Sequence, residues 1–459
     1  MTQLSILSGI YADGRPDFRT SYPVNLVPVP KDQGISAGYL RPADGIVKQG
    51  SGSGIDRGAI AWNGTLYRVL GNDLVKIAAD GTATRLGDIA GTGYASFAYS
   101  FDYLAVCCDG NAYLCNPGPA KITDTDLGKV FSVTWIDGYF IFTDGTSLIA
   151  TDLNNPGSVN PLHYGSSEVN PDPVVAVTKL RNELVAVNRY SIEFFQDIGG
   201  TGFPFERING AYIPKGAVGS NAQCIVTDDT LAFVGGGVND PPSVYVGGNG
   251  QAACIATREI EAILAGYTDD QLSTIVVEYR ADQAQRLILI HCPDQTLAYD
   301  MAGSQALQQP VWFILQSGWP ARSKYRARGH VWLHGRWNVA DSLSGNYGYL
   351  SPDIATHWGA KTSWEFATAL IYNEGAGAIV HELELITLSG AKSKDTIIET
   401  QYTLDGVKWS QPKAIKARGR IKWLQQGMVR NWRAQKFTGD SDAQASFARL
   451  EARLEPLAF

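Results

Sequence analysis

One repeated pattern constrains this chain more than any other feature. "TWIDGYFIFTDGTSLIATDL", residues 134–153, places a short apolar strand between two Asp-Gly turns and follows it with another strand. The pattern returns as "AWNGTLYRVLGNDLVKIAADG" from Ala61, "SFDYLAVCCDGNAYLCNPG" from Ser100, "LRNELVAVNRYSIEFFQD" from Leu180 and "TDDTLAFVGGGVNDPPSVYVGG" from Thr227. Looser copies start at Asp282 and His334. Asn-Gly and Asp-Gly suit such turns because they tolerate the positive φ that two-residue hairpin loops need. The turns fall near residues 64, 102, 138, 182, 229, 283 and 335, a period of about 35–55 residues and the spacing of propeller blades. A small antiparallel sheet cannot bury both faces alone, so the units must stack, and a ring does this without exposed ends. Seven copies favour seven blades, and the weak last copy leaves six open. A sandwich joined to a barrel also fits short strands at regular spacing. The places of Asp137 and Asp144 are taken in other copies by Asn63 and by Asn182-Glu183, so these acids answer to turn geometry.

The reading is therefore all-β, and it divides the chain into three parts. Residues 1–45 hold Pro16, Pro23, Pro28, Pro30 and Pro42 with little periodicity, which predicts an extended N-terminal arm laid over other surface. That surface is another subunit or the chain's own propeller. Residues 46–359 carry the blades. Residues 360–459 change to longer alternating strands such as "IVHELELITLSG" and "TIIETQYTLDG", which predict a β-sandwich, with "SFARLEARLEP" as its last strand. One helical insertion is expected at "TREIEAILAGYTDDQL", where Thr268 and Gln271 match a capping box. Composition agrees: 49 Gly, 21 Tyr and 11 Trp beside only 3 Met suit turns and strands.

Chemical motifs are sparse. The net charge of −7 argues against a basic nucleic-acid coat, so any DNA contact must come from a local patch. No run of eighteen apolar residues predicts a membrane span, and the N-terminus does not read as a secretory signal. The six cysteines form no CxxC pair and are expected as buried, reduced thiols. No P-loop and no His-Glu-x-x-His occurs, and the Ser-Gly run at residues 50–54 lacks the helix that a nucleophile elbow needs. His330 and His334 stand four apart on a predicted strand beside arginines; no metal, cofactor or catalytic set is expected. Asp405 resembles an Asp-box turn only loosely and is read as a hairpin turn with Trp409 packed on it. The sharpest charge feature is "PKAIKARGRIKWLQQGMVRNWRAQK", residues 412–436, basic without a single acid and interleaved with Trp423 and Trp432. Such a stretch can track phosphates without reading bases, or stand as a solvated sheet face. A second acid-free stretch, residues 319–337, holds Arg322, Lys324, Arg326 and Arg328.

At "PVNLVPVPKDQGISAGYLRPADGIVKQG" followed by "DRGAIAWNGTLYRVLGNDLVKI", and again at "SIEFFQ", "PSVYVGGNGQAACIATREIEAIL" and "LILIHCPDQTLAYD", the chain resembles a known family. It is similar to the packaged-DNA stabilisation proteins, or tail hubs, of short-tailed bacteriophages. The resemblance runs over essentially the whole chain in order and is weakest in the last hundred residues. It implies a structural, non-enzymatic virion protein, folded in the bacterial host cytoplasm and then built into the tail. It also implies a homo-hexamer below the portal and its adaptor (the head-to-tail connector). That ring closes the DNA exit channel and docks a tail spike or fibre and a needle or plug. No cofactor and no catalytic residue carries over. In such a ring a lumen-facing basic stretch lets DNA slide through transient, non-specific contacts, and Lys416, Arg418, Arg420, Lys422, Arg430 and Arg433 are expected in that role. The competing expectation is a propeller that binds or hydrolyses polysaccharide, whose paired acids come from separate blades and leave no local signature.

Overall fold

Several strands between residues 45 and 351 carry apolar residues at consecutive positions, as in "LAVCC", "LVAV" and "LILI". The computed structural model shows why. It describes residues 2–7, 9–12, 18–31, 36, 38–282, 285–373, 376–388, 397–417, 420–440 and 446–457. Seven small antiparallel sheets follow one another as blades, spanning residues 56–88, 96–121, 132–166, 174–213, 216–254, 276–324 and 327–351. First strands touch from blade 1 through blade 4 and from blade 6 to blade 7; Glu183–Asn188 touches Gly216–Ala217, Gln223–Thr227 touches Val276–Asp282, and Ala327–Leu333 of blade 7 touches Asp56–Trp62 of blade 1, so the ring closes. The sandwich-plus-barrel alternative is excluded.

Because side chains alternate along a strand, each blade feeds two different neighbours. Leu104, Val106 and Cys108 pack on blade 1 with Trp62 and Val69, while Ala105 and Cys107 pack on blade 3 with Phe140 and Phe142. Leu184 and Ala186 face blade 3, and Val185 and Val187 face blade 5. Cys107 and Cys108 are thus core hydrophobes on opposite faces, and all six cysteines are free thiols.

The hairpin turns adopt the geometry their residues imply. Asn63-Gly64 has φ of 48° and 70°, and Asp137-Gly138 has 49° and 91°. Asp144 Oδ1 accepts from the backbone N–H of Thr146 at 2.8 Å and Ser147 at 2.6 Å, closing its own turn. The turn expected near residue 283 lies outside the described residues. The seventh copy reads weakly because its outer strand is missing from that place in the sequence. Gly45–Ser51, from the N-terminal side of blade 1, pairs antiparallel with Asn346–Ser351 and supplies it. The ring is therefore locked by both ends of the propeller segment.

The helical insertion lies between blades 5 and 6 as Arg258–Leu264 and Asp269–Ser273, and the Thr268–Gln271 capping box is formed. Ile260 and Leu264 are buried against blades 5 and 6.

The C-terminal region is a two-sheet sandwich. Ser446–Pro456, Ala378–Leu388 and Ile421–Val429 form one sheet; Ser363–Ala367, Trp432–Asp440, Ile397–Thr403 and Lys413–Lys416 form the other. The described N-terminal strands are built into this sandwich. Leu26–Pro30 and Gly38–Pro42 continue the first sheet, and Thr2–Leu4 pairs with Ser446–Pro456. Proline is tolerated there because Leu26–Pro30 is an edge strand, whose outward N–H groups have no ladder partner to lose.

Residues 23–25 weld the two regions. The Val24 N–H donates to the Glu365 carbonyl in the sandwich, and the Ile314 N–H in blade 6 donates to the Pro23 carbonyl, both at 2.8 Å. Asn25, at φ 53°, donates Nδ2 to the carbonyls of Gln316 at 2.9 Å and Ser363 at 2.6 Å. Its Oδ1 accepts from the Gln316 N–H at 3.0 Å. Asn25→Ala removes three hydrogen bonds to backbone groups, one buried and two half-buried, and is expected to cost about 2–3 kcal/mol. Urea unfolding reads this as a lower midpoint; an unchanged midpoint would remove the weld from the account.

Candidate functional site

Lys416 and Arg430 are exposed. Arg420 projects from the sheet but forms a two-pronged pair with Glu384, its Nη2 reaching Oε2 at 2.5 Å. Lys422 meets Glu382 at 2.6 Å. Register explains both pairs: Ile421–Val429 lies beside Ala378–Leu388, with Lys422 directly opposite Glu384. A stretch without acids in sequence therefore has acids on the neighbouring strand. Arg433 does not belong to any phosphate track. It is fully buried, its guanidinium lies 3.9 Å from the Tyr402 ring centroid, and it donates to Gln435 and to the Gln426 carbonyl. Burial lowers its pKa to about 10. Arg418 lies outside the described residues.

The second basic stretch is likewise turned inward. Arg322 pairs with Glu365 at 2.9 Å, across the junction with the sandwich. Arg326 forks onto Asp341, and burial, then Arg328, lowers the pKa of Lys324. His334 sits in a turn at φ 56°, so it does not share a face with His330.

Arg328 leads to a buried polar cluster where the inner strands of blades 1, 6 and 7 meet. Asp56 and Arg68 have fully buried side chains and pair at 2.6 Å. Arg68 Nη2 donates to the Gly329 carbonyl at 2.7 Å, and Arg328 donates to the Asp56 carbonyl. Gly329 has φ 67°, and a Cβ there would run into the Arg68 guanidinium and the Asp56 carboxylate, so no other residue fits. Arg328 also stacks 4.8 Å from the Tyr94 centroid. Tyr94 donates its hydroxyl to Glu278 Oε1 at 3.0 Å, and the Gly329 N–H donates to the same oxygen at 2.8 Å. Glu278 Oε2 faces His330 Nδ1 and lies 3.4 Å from His291 Nε2. His291 Nδ1 contacts Thr296 Oγ1 at 3.0 Å. Burial, the largest influence, lowers the pKa of His291 despite Glu278. Among the described residues, Glu278, His291 and His330 form the group able to hold a metal. Sequence reading missed it because the three lie on different strands of two blades.

A cleft of about 790 Å³ is lined by Phe97, Tyr99, Phe101, Trp135, Lys179 and Ile225, and Phe101 is 87% exposed.

Behind blade 6, His357 is buried with Nδ1 2.9 Å from Ser317 Oγ. Burial, then Arg326, lowers its pKa from 6.5 to about 3. Folded His357 stays neutral where the unfolded chain would be charged. Its contribution is intact above about pH 6.5 and is lost as pH falls toward 3, at about 1.4 kcal/mol per pH unit between them. Urea midpoints near neutral pH and near pH 4 should diverge less in His357→Gln than in the parent; equal divergence would contradict this.

Fold and site together define a propeller–sandwich scaffold whose charged groups largely pair with one another. Residues 2–355 match the family model described as "Bacteriophage P22 Gp10, beta-propeller", and residues 363–455 match its companion, "Bacteriophage P22 Gp10, beta-sandwich". The chain belongs to this family. It is 27% identical over 482 residues to the tail hub protein gp10 of Salmonella phage P22, covering 99% of each chain. Among solved structures, the Neurospora crassa Pan2 WD40 domain aligns with a TM-score of 0.42 at 12% identity, over 65% of this chain and 90% of that one. The N-terminal domain of Nup159 aligns with 0.40 at 11%, over 70% and 97%. No helix among the described residues is long and apolar enough to cross a membrane.

Proposed function

We propose that this chain is a structural hub of a short phage tail. Six copies form a ring below the portal and its adaptor, close the DNA exit channel after packaging, and present docking surfaces for a spike or fibre and for a needle or plug. The observation that carries this reading is the full-length, collinear match to a tail hub protein. A ring of identical copies uses heterologous contacts that close on rotation. The exposed apolar side chains Phe101, Leu162 and Val238 offer surface for such contacts. A rigid, internally paired propeller also suits a part that must hold pressurised DNA without deforming. The test is genetic: particles assembled without this chain should package DNA and then lose it, and particles that retain their genome would refute the reading.

The DNA contact falls to Lys416 and Arg430, exposed members of the basic stretch, with the exposed Arg420 and the half-buried Lys422 partly neutralised by Glu384 and Glu382. Each phosphate contact adds about −0.9 to the slope of log K against log salt. Replacing Lys416 and Arg430 together by Ala should make that slope shallower by about 1.8 in duplex-binding titrations. An unchanged slope would remove both residues from the channel wall.

A further inference from the structure

We propose that Glu278, His291 and His330 bind a divalent transition-metal ion of the Zn²⁺ class, which clamps blade 6 to blade 7 beside the propeller axis. The donor set is two imidazoles and one carboxylate, which suits Zn²⁺ and its first-row neighbours and leaves a coordination position for water. Geometry supports it. Donors held 2.0–2.1 Å from a tetrahedral ion stand about 3.3 Å apart. His291 Nε2 and Glu278 Oε2 are 3.4 Å apart, and the three donor atoms all lie within 4.8 Å of one another. His330 Nδ1 touches Glu278 Oε2 directly, so the two separate by roughly 1 Å when both ligate one ion.

His291 Nε2 supplies an independent observation. Its side chain is 1% exposed, and this nitrogen is buried without a hydrogen-bond partner while aimed at the carboxylate. A buried polar atom left that way is costly, and an ion at this point satisfies it. The surroundings resemble a second coordination shell. Thr296 Oγ1 engages His291 Nδ1 and turns Nε2 inward, while Tyr94 and the Gly329 N–H hold Glu278 by its other oxygen. Such outer partners fix the orientation of metal ligands. The nearby Arg328 guanidinium is already engaged by the Asp56 carbonyl and the Tyr94 ring.

Glu278 stands on Val276–Asp282, His291 at the end of Gln285–His291, and His330 on Ala327–Leu333. An ion there joins two strands of blade 6 to the inner strand of blade 7, the blade completed by a strand from the other end of the propeller. The clamp is separate from the hub reading: it can fail while the hub stands, and the reverse.

The test uses the full chain, stripped with a chelator and titrated with Zn²⁺ and, separately, with Co²⁺. Wild type should bind about one equivalent, gain thermal stability on binding, and show the visible bands of low-coordinate Co²⁺. His291→Gln should abolish the bands. Thr296→Val keeps every ligand and should weaken binding by about 10-fold or more, so it decides the matter if His291→Gln fails to fold. Binding below about 0.1 equivalent, or binding that both variants leave unchanged, would overturn the proposal.

Discussion

Asp56→Ala is expected to destabilise the propeller by about 3–5 kcal/mol, because it strands the buried Arg68 charge. The Arg68 guanidinium has no exposed surface, and Asp56 is its anionic partner at 2.6 Å. Removing the carboxylate leaves Arg68 the Gly329 carbonyl at 2.7 Å and a weaker 3.4 Å approach to the Arg328 carbonyl. The pair lies at the seam between blades 1 and 7, so the loss falls where the ring is closed. Removing both charges is a different perturbation. Asp56→Ala with Arg68→Met should recover part of the loss, since apolar replacement of a buried pair is often close to neutral. Denaturant unfolding of the two single variants and the double measures that coupling. Additive losses would mean that the pair does not act as a unit.

Phe366→Ala should cost a comparable 3–5 kcal/mol, this time in the sandwich. Phe366 is fully buried, with ring centroids 5.1 Å from both Phe437 and Phe447 and 6.0 Å from Trp364. These rings come from both sheets, and Phe447 stands on the last strand. Truncation opens a cavity that a β-sheet core cannot collapse to fill, and removes three aromatic contacts worth about 0.5–1.5 kcal/mol each. Phe366→Leu keeps most of the volume and should cost clearly less. Equal losses for Leu and Ala would indicate that ring packing, not cavity volume, dominates.

Turn chemistry and the regular spacing of short strands made the propeller legible. Asn63-Gly64 and Asp137-Gly138 announce hairpins through local backbone preference alone, and the repeat of small sheets announces stacking. What stayed hidden depends on long-range pairing. Gly45–Ser51 completes blade 7 some 300 residues away in sequence, between Gly45 and Ser351, and nothing local marks it as a seventh outer strand. Leu26–Pro30 reads as a proline-rich arm because an edge strand tolerates proline, so composition hid its place in the sandwich. The basic stretch failed as a guide to surface charge for the same reason: Glu382 and Glu384 reach Lys422 and Arg420 only through sheet register. Glu278, His291 and His330 carry no spacing signature, since strand pairing within blade 6 and its stacking on blade 7 bring them together.

The central claim is a ring of identical hubs, and imaging the assembled tail tests it most directly. The account predicts six copies of this chain in a closed ring beneath the portal–adaptor complex, with the DNA path on the ring axis. A single copy, an open arrangement, or a chain that never joins the portal–adaptor complex would contradict it.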